Sequence, residues 1–168
     1  GIDGLLFGDT PEEGYVRGTN FLHPVLGITF SVPTGFDTEN NKDAVLSAGP
    51  GEIAVRFDAV ELPGNASLDD YVKSGWVAGL DETSVRPAIV GGNEAVTARA
   101  QAEKWQFNIT VLRLNGKVFR FLIAAPIGSA TLDSVAASVT QSFRLLTSEE
   151  RASVKPARLQ IVTVKAGE

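Results

Sequence analysis

A chain of 168 residues with one histidine, no cysteine and no methionine cannot form a disulfide or a thiolate zinc site, and it excludes most histidine-dependent catalytic constellations. With 43% apolar and 21% charged residues, it has the composition of a globular domain whose core needs no staples. A net charge of −5 and scattered basic residues argue against nucleic acid or an anionic membrane as partner, and the longest apolar run, Phe121–Pro126, is far short of the ~20 residues that span a bilayer.

Residues 1–20 are rich in Gly, Asp and Glu and lack periodicity. They read as a linker, with Tyr15 and Val16 able to pin it to the body. The alternation from Gly27 to Pro33 predicts a half-buried strand closed by Pro33 and Gly35. A short strand over Ala44–Ala48 follows, then a Pro50-Gly51 turn. Ile53, Val55, Phe57 and Ala59 next share one face of a third strand, with Arg56 and Asp58 on the other. Ser67 and Asp70 have capping-box spacing, and Leu68, Tyr71, Val72 and Trp76 then recur at helical spacing, which predicts a first helix ended by Gly79. A meander follows: Val85–Val90, a Gly91-Gly92 turn, Ala95–Ala102, Trp105–Leu114 and Lys117–Ala125. The dipeptide Asn115-Gly116 marks the last hairpin, because both central residues of a type I′ turn need positive φ. Leu132, Val135, Ala136, Val139 and Phe143 make the apolar stripe of a second helix, with Thr131 at its N-cap. Thr147 and Glu150 offer a capping box for a third helix ending before Pro156. Leu159–Val164 reads as a lone β segment. Strands, helix, meander and helix in that order predict an α+β fold, an antiparallel sheet packed by helices.

Few residues invite chemistry. A triad needs a histidine beside a nucleophile with a third residue to orient it; the single His23, at the start of the body and before Pro24, reads as a loop or edge residue. Asp69-Asp70 and Glu149-Glu150 fall in first turns of predicted helices, where the helix dipole accounts for them better than acid/base work does. No catalytic, cofactor-binding or metal-ligating residue is assigned. The aromatics Tyr71, Trp76, Trp105 and Phe107 are the candidate partner surface; core packing is the competing account of the two tryptophans.

Two resemblances emerge when these segments are lined up. Pro33-Thr34-Gly35-Phe36 ending a strand, a helix opened by Ser67-Leu68, a meander with a Gly-Gly turn and a last helix closing on Ser142-Phe143-Arg144 resemble the PsbP/Mog-type fold over about residues 21–146. That resemblance implies an antiparallel sheet between helices, used for binding protein partners and not for catalysis. Gly14-Tyr15-Val16-Arg17-Gly18, Phe21-Leu22-His23-Pro24, Ser74-Gly75-Trp76-Val77-Ala78-Gly79-Leu80 and Phe119-Arg120-Phe121-Leu122 resemble the region after the protease domain in exported, BepA-like bacterial zinc metalloproteases of the HExxH class. Ile161–Glu168 resembles the opening of a LysM-like module. No HExxH occurs and one histidine cannot supply its two ligands, so no catalytic residue carries over.

These readings combine into one expectation. Residues 1–20 are a linker from an absent upstream domain, and 21–146 are a PsbP/Mog-like α+β domain. Residues 147–168 are a short helix and strand leading into a truncated LysM-like module. The missing initiator methionine fits a processed or excised segment. The function expected is that of a non-catalytic accessory domain of a zinc metalloprotease in the periplasm or cell envelope, with the zinc in the absent domain. Its partners would be that protease domain and substrate or envelope proteins. The alternative is a small-molecule or lipid carrier with a pocket between sheet and helices.

Overall fold

The computed structural model describes residues 14–154. Strands β1 (Tyr15–Arg17), β2 (Asn20–His23), β3 (Ile28–Ser31) and β11 (Arg144–Leu145) form a small sheet in that order. A seven-stranded sheet runs β4 (Asp37–Asn40), β5 (Val45–Gly49), β6 (Ile53–Val60), β10 (Lys117–Pro126), β9 (Trp105–Leu114), β8 (Asn93–Ala102) and β7 (Leu80–Val90). All pairings are antiparallel. Helix α1 (Leu68–Val72) and helix α2 (Leu132–Gln141) complete the order, followed by helical residues 148–154. The α+β expectation is met.

Period-2 alternation gives the large sheet two faces of different character. On the inner face Ile53, Val55, Phe57 and Ala59 of β6 and Phe119, Phe121, Ile123 and Ala125 of β10 are all buried. The small sheet packs there through Phe21, Ile28 and Phe30, and α2 through Leu132, Ala136 and Val139. Phe57 is the centre: its ring lies 4.7 Å from those of Phe30 and Phe121. The outer face carries a second cluster, Val96, Ala98, Ile109, Val111 and Val118, under Leu68 and Val72 of α1.

The turns follow their sequence. Asn115 and Gly116 take φ of 52° and 79°, as the type I′ hairpin requires. Edge strand β7 carries Pro87, several charges and a bulge between Asp81 and Arg86, devices that discourage edge-to-edge pairing.

Several boundaries differ from expectation. Ordered structure starts before Phe21, because Tyr15 and Val16 pair with Leu22 and Phe21 inside the stretch read as linker. The first helix stops at Val72: Ser74 Oγ donates to the Tyr71 carbonyl at 2.6 Å and Gly75 turns to φ 99°, so Trp76 follows the helix instead of lying on it. Strand β7 begins at Leu80 and not Val85, its alternation hidden by the polar bulged stretch. Helix α2 ends at Gln141, where Ser142 Oγ accepts from Ser31 N–H at 2.8 Å. His23 is no loop residue: it ends β2, is 0% exposed, and its Nδ1 accepts from Leu26 N–H at 3.1 Å. Asp58 lies on the outer face as expected, but it is 3% exposed, paired there with the buried Arg120 that Tyr71 and Trp76 contact. The segments Leu159–Val164 and Ile161–Glu168 lie outside the described residues.

The predicted third-helix cap is present. Thr147 Oγ1 accepts from Glu150 N–H at 3.1 Å and Glu150 Oε1 from Thr147 N–H at 2.8 Å, the reciprocal pair of a capping box. Arg144 adds two hydrogen bonds of 2.8 Å to the same carboxylate. These bonds, Arg144 first and the Thr147 N–H second, lower the Glu150 pKa from 4.5 to about 2. A depressed carboxylate stabilises above its unfolded pKa and loses that contribution as pH falls through the folded value. The joint between β11 and the helix should therefore loosen as pH drops from 4.5 towards about 2. Solvent screening keeps the effect on global stability small. A carboxyl NMR titration should place the Glu150 midpoint near 2 and Arg144→Ala should raise it; a midpoint unmoved by that substitution would remove Arg144 as the cause.

Candidate functional site

The outer face of the large sheet is divided by α1. This short helix starts where Ser67 Oγ accepts from Asp70 N–H at 3.1 Å, and Asp69 and Asp70 occupy its first turn, matching the helix dipole. It packs over β7–β9, where Leu68 and Val72 are buried, and leaves bare the outer face of β4, β5 and the Ala54–Arg56 end of β6.

One ion pair sits at the boundary. Arg120 and Asp58 are direct cross-strand partners, with side chains only 8% and 4% exposed. Arg120 Nε donates to Asp58 Oδ1 at 2.7 Å and Nη2 to Oδ2 at 2.6 Å, a bidentate fork, and Nη1 donates to Tyr71 Oη at 2.6 Å. The guanidinium also lies 4.5 Å from the centroid of the Trp76 ring, within cation–π range. Burial alone would lower the Arg120 pKa, but the bond and charge of Asp58 and then Tyr71 outweigh it and hold it above the ordinary value. With its donors aimed at Asp58 and Tyr71, this arginine fastens α1 and the loop after it to the sheet.

The four aromatics proposed from sequence are all half-buried. Tyr71 and Trp76 meet, with ring centroids 5.8 Å apart, and pack with Phe107 against the outer cluster. Trp105 lies apart, opposite Pro126 at the end of its hairpin. The aromatic set is therefore a rim beside α1 more than an exposed patch. The Asp58–Arg120 pair was missed because its members are 62 positions apart and each, alone, reads as a solvent-facing charge on a strand.

The bare half holds a groove of about 450 Å³. Ala48, Ala54 and Ala124 are successive cross-strand partners and make a floor of methyl groups. Leu46, Arg56 and Leu122 form the adjoining row, again in register. Asp37 and Glu39 of edge strand β4 stand along one side. Phe107 pairs with Ala124 and continues the floor towards the aromatic rim. A second groove, of about 630 Å³, lies between α1 and the β7–β8 hairpin beside Leu68, Ile89 and Val96. Among the described residues no group of three or more His, Cys, Asp or Glu is placed to hold a metal, and no helix is long and apolar enough to cross a membrane.

No family model and no curated protein matches the chain in sequence. Solved structures do match in shape. A protein from Bacteroides thetaiotaomicron VPI-5482 superposes with TM-score 0.59 at 14% identity over 80% of this chain, which spans only 51% of that protein. The cyanobacterial PsbP (CyanoP) of Synechocystis sp. PCC 6803 matches with TM-score 0.56 at 16% identity, over 77% of this chain and 94% of that one. The Saccharomyces cerevisiae Ran-binding protein Mog1p gives TM-score 0.51 at 12% identity, over 80% and 98%. At these identities the likeness concerns architecture alone: the chain has a PsbP/Mog1-like α+β fold.

Proposed function

We propose that this domain is a non-enzymatic protein-binding module whose docking surface is the bare half of the outer sheet face. The observation that carries the reading is the groove over Ala48, Ala54 and Ala124, apolar surface that α1 leaves uncovered. Exposed apolar surface gains free energy when a partner covers it. The buried ionisable pair beside the groove, Arg120 and Asp58, is bonded to itself and offers no free acid or base. A protein-binding use of the same architecture is attested by the name of yeast Mog1p. In the setting implied by the sequence resemblance, the partner is an upstream zinc metalloprotease domain or an envelope protein, and the module works in the periplasm or cell envelope. The groove between α1 and the β7–β8 hairpin favours a second reading, a small-molecule or lipid-binding module with its pocket between sheet and helix.

Selection from a random library of 12-residue peptides on the immobilised full chain separates these. Ala54 is exposed, so Ala54→Arg fills the floor without entering the core. Enriched peptides should lose at least about tenfold in affinity for this variant, ~1.4 kcal/mol, while its melting temperature stays unchanged; Ala48→Arg should behave alike. No enrichment on the parent chain would remove the protein-binding reading, and enrichment indifferent to both variants would move the docking surface elsewhere.

A further inference from the structure

We infer that the groove takes an extended polypeptide segment that alternates aliphatic with basic residues; this rests on the protein-binding reading and names the partner's chemistry. Asp37 pairs with Ala48 and Glu39 with Leu46, so both carboxylates stand on the face that carries the floor. As positions i and i+2 of one strand they repeat at about 6.8 Å, which is also the repeat of same-side residues in an extended partner. Neither carboxylate forms an ion pair with any described residue. The opposing cation, Arg56, is turned towards Asp58, 3.5 Å from Oδ2.

The groove is thus negative along its β4 side and apolar along its floor. Successive side chains of an extended chain point to opposite sides, so the partner lies edge-on along the groove. Its aliphatic set turns towards Ala54, Ala124 and Leu122, and its long basic set turns towards the β4 carboxylates. An acidic segment meets two like charges at the rim. A polar basic segment satisfies the rim and leaves the floor unfilled.

Fluorescence anisotropy on the full chain tests this with labelled eight-residue peptides. The valine–lysine alternating peptide should bind at least about tenfold tighter than its valine–glutamate and serine–lysine counterparts, and more weakly as salt rises. The paired substitution Asp37→Asn with Glu39→Gln removes two exposed pairs and should cut the valine–lysine affinity by about fivefold, leaving the valine–glutamate peptide no weaker. Equal binding of the acidic peptide, equal binding of the serine–lysine peptide, or indifference to the paired substitution would each overturn the inference. Binding of a labelled fatty acid with none of the peptides would overturn it too and make the groove a lipid site. Should library selection yield peptides that need Ala54 but carry no basic residues, the basic specificity fails while the protein-binding reading stands.

Discussion

Arg120→Ala should destabilise the domain by about 3–5 kcal/mol, the usual result of stranding one member of a buried ion pair. Asp58 would lose both bonds of its bidentate partner and keep only the half-exposed Arg56, 3.5 Å away, Tyr71 Oη would lose the Arg120 donor, and the Trp76 ring its cation. Against a total stability of about 5–15 kcal/mol this is a large fraction, and urea denaturation should show the midpoint falling with the slope preserved. Arg120→Lys should rescue little, because an ammonium cannot make the two parallel bonds of 2.7 and 2.6 Å to Asp58 and reach Tyr71 as well. Replacing both members together, Asp58→Leu with Arg120→Met, should recover most of the loss. A single variant as stable as the parent would mean that the pair does not fasten α1 to the sheet.

Phe57→Ala should be as damaging, at about 3–5 kcal/mol. Its ring is fully buried, at 0% exposure, and contacts rings from both sheets: Phe30 and Phe121 at 4.7 Å, Phe119 at 5.8 Å, Phe143 at 6.0 Å and Phe21 at 6.2 Å. No single neighbour can collapse into the space, since each is held by its own strand or by the end of α2. Phe57→Leu keeps most of the volume and should lose clearly less. Thermal and urea denaturation of the two variants give the comparison; equal losses would show that ring packing adds nothing to aliphatic bulk here. Trp76, half-buried and lying on Arg120, should tolerate truncation better than Phe57.

Some local rules of the sequence hold, although Thr131 at the α2 N-cap makes no side-chain cap bond. Trp105–Leu114 is one strand with the expected ends, because a tight Asn-Gly turn sets its register. The predicted stripe Leu132, Val135, Ala136, Val139 and Phe143 packs on the core, with Phe143 just past the end of α2. Polar edge strands escaped notice: Asp37–Asn40 has no apolar alternation at all and is a strand because β5 offers it a ladder. The early stop of the first helix turned on Ser74 and Gly75 outweighing the spacing of Trp76.

The candidate site was less legible than the fold for a physical reason. Alternation along β6 places Ala54, Arg56 and Asp58 on the outer face, but it cannot say which of them a helix covers. That depends on where a five-residue α1 sends Tyr71 and the Trp76 that follows it: both reach Arg120, which is buried with Asp58, while Ala54 stays open. The aromatic candidates were near the site, and the small alanines that shape its floor offered no signal of their own.

The central claim is that the bare half of the outer face is where a partner docks. Backbone amide shifts of the isotope-labelled full chain, recorded while a library-selected peptide is added, test it most directly. The account predicts perturbations concentrated on Asp37–Glu39, Leu46–Ala48, Ala54–Arg56 and Leu122–Ala124. Perturbations confined to the groove between α1 and the β7–β8 hairpin, around Leu68 and Ile89, would contradict it.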